Sequence, residues 1–340
     1  MGAMGAGSAK GIFGTHERAG FMRRMLISLA LIATAGSMES AARLQTPVER
    51  RPSQPLLIDV VAFDRHGMPV SDLRREDLEV WIAGYRVPVE TFAAVTPATD
   101  ERSGRVIVLV LDDTLPPAMV PRARDAARRF VNRMSPGDQM AIVTLNGTSM
   151  ESTTDRNRLL RSIDAYNAHV TGLIRLDVLS QHVLKTIGSI SRQFETNSEQ
   201  GSVRPFIKKT IVAIGAAWLF DTPIPPPTTG YDLRKEWIDA MRAMAFANVN
   251  LYVIDPGGVA MMQPMAGGSN GFARDTGGHA FVGNDLNAAA DRIMREAGSY
   301  YLIGVADPPV QRKADLRELD VRVLRPGISV RARRAIPGTQ

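Results

Sequence analysis

Hydrophobic positions along the chain change rhythm twice. Over 56–92, short apolar runs at 56–63, 77–82 and 86–92 are separated by the turn residues Asp64, Arg65, His66 and Gly67 and then by Ala83 and Gly84. Short β-rich runs punctuated by glycine turns predict a small antiparallel unit. From Arg105 the text alternates strand and helix. The run 106–111, VIVLVL, has no polar alternation, as a central parallel strand covered on both faces requires. A helix follows over 120–134, with Ala123, Ala126, Ala127, Phe130 and Val131 on one face and the arginines mostly elsewhere. Ser135, Pro136, Gly137 and Asp138 stop it.

Further strands are predicted at 140–145, 209–214, 250–254 and 279–282, with helices at 156–167, 176–194, 233–247 and 286–297. A glycine-rich segment, 267–271, reads as an irregular, flexible connection. This alternation predicts an α/β fold with a doubly wound, mainly parallel sheet flanked by helices. After 300–305 the rhythm is again β-like, at 319–324 and 328–332, around Arg325, Pro326 and Gly327. No crossover helices separate these strands, so they cannot extend a parallel sheet. They are expected to pack with the first β unit, making a small β-rich domain from both chain ends.

The first 42 residues carry a different pattern. Arg23 and Arg24 precede an apolar run over 25–35, and small residues follow through Ala42. That is the order of a secretory signal, with an apolar run too short to span a bilayer comfortably. The chain therefore divides into a signal peptide at 1–42, a linker at 43–55, a β-rich unit at 56–98, an α/β domain at 103–305 and closing strands at 306–336. Export to the periplasm, the cell surface or the medium is the implied destination, with no stable membrane insertion after the leader is cleaved.

Composition narrows the chemistry. The chain has 340 residues and no cysteine, which removes disulfides, thiol catalysis and cysteine-ligated zinc. Its formal charge is +6, and the leader's four basic and two acidic side chains account for +2, leaving +4. The bases are scattered and the aromatics few, so a solvated surface explains them better than nucleic-acid binding. The five histidines show no paired zinc spacing, and neither a Gly-x-Ser-x-Gly elbow nor a phosphate-binding Gly-x-x-x-x-Gly-Lys loop is present.

The most chemical stretch is the end of the run 106–111, where Asp112, Asp113 and Thr114 follow directly. Carboxylates at the carboxyl end of a parallel strand lie at the rim where open α/β sheets bind ligands. Without a ligand, Asp112 accepts backbone N–H groups in the strand-to-helix turn and Asp113 is solvated. Asp255, followed by Pro256 and Gly257, reads first as a turn residue and second as a contact. The proline-rich loop at 222–229 serves equally as a stiff spacer or as a recognition surface.

Four segments together resemble the von Willebrand factor A-related proteins abundant in acidobacteria: VVAFDRHGMPVSDLRREDLEVWIAGYRVPVETF at 60–92, VIVLVLDD at 106–113, NVNLYVIDPGG at 248–258, and SYYLIGV with LDVRVLRPGISVRARRA over 299–335. The resemblance covers nearly all of 56–334. It implies a von Willebrand factor A-like domain at 103–305 and a protein-binding or adhesion function without catalysis. It also implies a metal-ion-dependent adhesion site in degenerate form, and no cofactor other than Mg²⁺ or Ca²⁺. In that mapping Asp112 is the first aspartate and Thr114 stands for the first serine, while Pro116 occupies the second serine position and offers no ligand. The threonine loop falls near Thr171, with Ile174 at the ligand position. The later aspartate position falls near Gly215, with Asp113 and Asp221 as the remaining candidate metal ligands. Contact with a protein partner is expected through Asp112, Asp113, Thr171 and Asp255. Two other readings stay open: a metal-dependent adhesion module with a reduced site at Asp112, and a secreted enzyme with an unrecognised site.

Overall fold

A computed structural model describes residues 55–96, 104–147, 151–169, 176–199, 207–215, 233–257, 266–306 and 314–338. The expected leader at 1–42 and nearly all of the expected linker lie outside these residues, as do Thr171, Ile174, Asp221 and the proline-rich loop. The described chain opens with β1 (Leu56–Phe63), β2 (Leu78–Ile82), β3 (Tyr85–Val87) and β4 (Val89–Val95). Asp64 turns the chain after β1, its Oδ1 accepting the N–H groups of His66 and Met68 at 2.8 Å each. Ala83 and Gly84, both at positive φ, form the two-residue turn between β2 and β3, as a tight hairpin demands.

The α/β segment follows as β5 (Val106–Leu111), α1 (Val120–Asn132), β6 (Gln139–Thr144), α2 (Arg156–Ala165), α3 (Leu176–Glu199), β7 (Lys209–Ile214), α4 (Arg234–Phe246), β8 (Val249–Asp255), α5 (Ala266–Asp275), β9 (Ala280–Val282) and α6 (Leu286–Gly298). Its strands form one parallel sheet in the order β6-β5-β7-β8-β9. Alternate residues of β5 explain why its sequence is apolar throughout. Ile107, Leu109 and Leu111 pack with α1, α2 and α6, whereas Val106, Val108 and Val110 pack with α3 and α4 on the opposite face. The sheet is thus buried on both sides, the condition for a strand without polar alternation.

The glycine-rich segment is a helix, not the irregular connection that its composition suggests. Glycine costs about 1 kcal/mol per helical position relative to alanine. Burial of Phe272 and Ala273 overrides that cost, Phe272 meeting Trp237 edge to face at 5.9 Å.

The chain closes with β10 (Tyr300–Val305), β11 (Leu316–Val323), β12 (Ser329–Arg331) and β13 (Ala335–Pro337). Two antiparallel sheets result, ordered β12-β1-β10-β4 and β13-β11-β2-β3, with Ile58, Val60, Val80, Ile82, Ile303 and Leu319 buried between them. Strand β10, which the chain order attaches to the α/β segment, pairs instead with β1 and β4. Only Ser299 separates α6 from β10, so no crossover is available to bring β10 parallel to its predecessor. Tyr301 fixes it: its hydroxyl accepts the Leu73 N–H at 3.0 Å, donates to the Val70 carbonyl at 2.9 Å, and its ring stacks on Phe92 at 5.3 Å.

Buried charge joins the antiparallel sandwich to the α/β layer. Asp59, in the middle of β1, accepts the Lys208 ammonium on one oxygen and the Asn248 amide, at 3.0 Å, on the other. Asn248 in turn accepts from the Arg333 guanidinium at 2.9 Å. Lys208 also lies 4.6 Å from the centroid of the Tyr300 ring. Burial pushes the Lys208 amine down from its ordinary range against the pull of Asp59, and pushes the Arg333 guanidinium down to about 10. A second bolt is Glu296 of α6, which accepts from Arg292 and from Arg331 of β12. Lys208 and Asn248 immediately precede β7 and β8. The sandwich therefore sits at the amino edge of the parallel sheet, roughly 20 Å of strand away from Asp112.

Removing one member of a buried ion pair leaves an uncompensated charge, which costs about 3–5 kcal/mol. In urea unfolding, Lys208→Met and Asp59→Leu are each expected to lose that much stability, and the double variant less than either single one. A pH dependence follows from Asp291 of α6, clamped by Arg129 at 2.9 and 2.6 Å and by Arg133 at 3.0 and 3.1 Å. These arginines hold its carboxyl down at about 2, against an ordinary 3.8. Because the folded value is depressed, the stabilisation is complete above the ordinary value and is lost as pH falls through about 2. Acid titration of Asp291→Asn should show a shallower loss of stability in that window.

Candidate functional site

The hydrogen-bond ladder of β5 continues one residue past the strand, with the Asp112 N–H donating to the Ile214 carbonyl at 3.0 Å. The chain then folds over its own carboxylate. Asp112 Oδ1 accepts the Thr114 N–H at 2.9 Å and the Thr114 hydroxyl at 2.6 Å, and Asp112 is 1% exposed. Leu115 is buried as an anchor, and Pro116 leads through a 3₁₀ turn, Pro117–Met119, into α1. Tyr166, just past α2, donates its hydroxyl to the Asp112 carbonyl at 2.6 Å. Burial, and then the nearby Asp112 and Asp113 charges, push the Tyr166 phenol up, so it remains a donor.

Asp113 is buried, contrary to the solvated position its sequence suggests. The Asn146 side-chain amide donates to its Oδ1 at 2.8 Å and the Asn146 N–H to its Oδ2 at 3.2 Å. The Asp113 carbonyl accepts the His169 N–H at 2.7 Å. Segments after β5, β6 and α2 are thereby laced together. Neither Asn146 nor Tyr166 carries a local sequence signal for this role, since each acts on a residue more than 30 positions away.

This lacing lies at a topological switch point. From β5 the chain passes to β6 through α1 on one face, whereas β7 passes to β8 through α4 on the other. Diverging connections leave a crevice at the carboxyl ends of β5 and β7, the usual ligand position of doubly wound sheets. Pairing of Leu111 with Ile214 and of Ile214 with Ile254 puts Asp112, Gly215 and Asp255 on the next transverse row. Asp112 and Asp255 are thus two strand spacings apart, about 10 Å, with a glycine between them. Asp255 Oδ1 caps its own turn by accepting the Gly257 N–H at 2.7 Å. Burial pushes the Asp255 carboxyl up, opposed by that N–H and by Arg122.

Mg²⁺ and Ca²⁺ require six or more oxygen ligands in a convergent set. The donors described here do not fit one. Asp112 Oδ1 holds Thr114, both Asp113 oxygens hold Asn146, Pro116 supplies no side-chain oxygen, and Asp255 stands a glycine away. Among the described residues no group of three or more acidic or histidine side chains converges. Of the residues expected from sequence, the structure brings Asp112, Asp113 and Thr114 together and sets Asp255 apart; Thr171 and Asp221 lie outside the described residues.

The sequence matches no protein-family profile and no curated protein. Among solved structures the chain is similar to the manganese-loaded TRAP protein of Plasmodium vivax, with 11% identity and a TM-score of 0.38, over 73% of this chain and 98% of that one.

A hydrogen bond to a charged acceptor contributes about 1.5–3 kcal/mol, and one to a neutral carbonyl about 1 kcal/mol. Thr114→Val is therefore expected to cost more stability than Tyr166→Phe in urea unfolding, with both variants keeping the fold by circular dichroism.

Proposed function

We propose that this chain is an exported, non-catalytic protein-binding module of von Willebrand factor A type that recognises its partner through the carboxyl edge of the parallel sheet. One observation carries the reading. The exposed residues Pro116, Pro117, Ala118, Asn146, Gly147 and His169 sit on backbone tied by the Asp112 and Asp113 hydrogen bonds. A rim already ordered loses little conformational entropy on binding, which favours recognition. The sandwich leaves that rim uncovered because its buried charges engage the opposite edge. The amino-terminal sequence pattern supports export.

The reading is metal-independent, supported by Pro116, which offers no side-chain oxygen, and by the glycine row that separates Asp255 from Asp112. The non-catalytic reading rests on the sequence, which has no Gly-x-Ser-x-Gly elbow and no paired histidine spacing, and on the part that Asp112 and Asp113 play in ordering the turn. His66 and His182 lie exposed on the Asp64 turn and on α3, away from this site, whereas His169 is exposed on the rim itself.

Site-specific photo-crosslinking tests the reading. A benzophenone side chain at Ala118 of the full chain is expected to capture a discrete partner from the exported fraction of the source cells. The same group at Arg322, on the outer face of the sandwich, should capture none, and the Ala118 yield should be equal in EDTA and in millimolar Mg²⁺. Calorimetric titration with Mg²⁺, Mn²⁺ and Ca²⁺ should show no saturable heat. Saturable binding lost in Asp112→Ala would replace this reading with metal-dependent adhesion, and substrate turnover lost in the same variant would replace it with an enzyme.

A further inference from the structure

Strand β9 ends the parallel sheet among the described residues, and its outer edge is a second place where a partner fits. The Val253 N–H donates to the His279 carbonyl at 3.1 Å, and Val253 and Asp255 pair with Ala280 and Val282. In a parallel ladder this alternation turns the backbone groups of His279 and Phe281 toward β8. Those of Ala280 and Val282 point away from the sheet. A groove of about 610 Å³ runs along this edge, bounded by Asn270 of α5, by β9, and by Ala289 and Arg292 of α6. Its volume is in the range of specific ligand sites. Asn270 contributes a buried side-chain oxygen with no hydrogen-bond partner.

Charge around the groove selects the occupant. Arg292 and Arg331 share the single buried carboxylate of Glu296. Arg274, exposed in the last turn of α5, adds a further cation, and all three arginines act on His279 in the groove wall. The Asp285 carboxylate is turned into the cap of α6, accepting the Ala288 N–H at 2.8 Å. Cations therefore outnumber carboxylates beside an apolar floor that includes Phe281 and Ala289.

We propose that β9 accepts an extended, acidic segment of a partner protein as an added edge strand. Its backbone pairs with Ala280 and Val282, its apolar side chains lie on Phe281 and Ala289, and its carboxylates meet Arg274 and Arg292. This is strand addition, in which main-chain hydrogen bonds supply affinity and side chains at the rims supply selectivity. The contact is separate from the carboxyl-edge rim and does not depend on it.

The test is fluorescence anisotropy of the full chain with a labelled, capped hexapeptide of alternating valine and glutamate, against its valine and lysine counterpart. Saturable binding of the glutamate peptide alone is expected. Proline is tolerated where an edge N–H faces outward, so Val282→Pro keeps the β8 pairing and should weaken binding about tenfold through one lost main-chain hydrogen bond. Arg274→Gln, an exposed change that leaves the core intact, should weaken it about threefold. Ala118→Arg, an exposed change at the rim, should leave it unchanged. No saturable binding, equal binding of the lysine peptide, or an affinity insensitive to both Val282→Pro and Arg274→Gln would overturn the proposal. Loss of peptide binding in Ala118→Arg would also overturn it, by placing the peptide on the rim.

Discussion

Asp59 is the residue on which the arrangement of this molecule depends. A carboxylate in the middle of a strand, 4% exposed, has no solvent to stabilise it, and burying such a group alone would cost several kcal/mol. Among the described residues its two oxygens are satisfied by Lys208 and Asn248, which belong to the approaches to β7 and β8. The two β layers therefore cannot separate without stranding charge on both sides. Arg333 and the Glu296 cluster extend the same constraint across the contact. Because a displaced ion pair loses far more than a displaced apolar contact, this arrangement fixes orientation as well as proximity.

That orientation decides which edge of the parallel sheet the sandwich occupies. An α/β layer offers two edges, and anchoring the sandwich at the amino edge leaves the carboxyl edge for contact. There the strand-to-helix turn after β5 carries carboxylates that suggest a metal site when read alone. Their hydrogen bonds give them a different task. Asp112 closes the turn through Thr114, and Asp113 fastens it to the segment after β6 through Asn146. These bonds order the loop before any partner meets it. The open edge of β9 among the described residues arises from the same layout: the chain turns from α6 straight into the antiparallel sheet, and no described strand pairs with its outer side.

Much of the fold was legible in the residues. The unbroken apolar run of β5 announced a strand covered on both faces, and the spacing of Ala123, Ala127, Phe130 and Val131 announced the face of α1 that covers it. Glycine and proline turns marked the antiparallel strands because those residues supply backbone angles others avoid. These signals are local, set by side-chain period and backbone preference, and a single chain carries them without knowledge of its neighbours. Only tertiary structure decided that β10 joins the antiparallel sheet, that a glycine-rich segment is helical because Phe272 and Ala273 are buried, and that Asp113 is tied to Asn146 and not to solvent. Each of those outcomes rests on a partner distant in the chain, whose burial or hydrogen bonding outweighs the local preference. Sequence therefore determined which segments are strands and helices and where carboxylates meet a strand end. The fold alone determined what those carboxylates hold, because a hydrogen-bond partner is fixed by position in space.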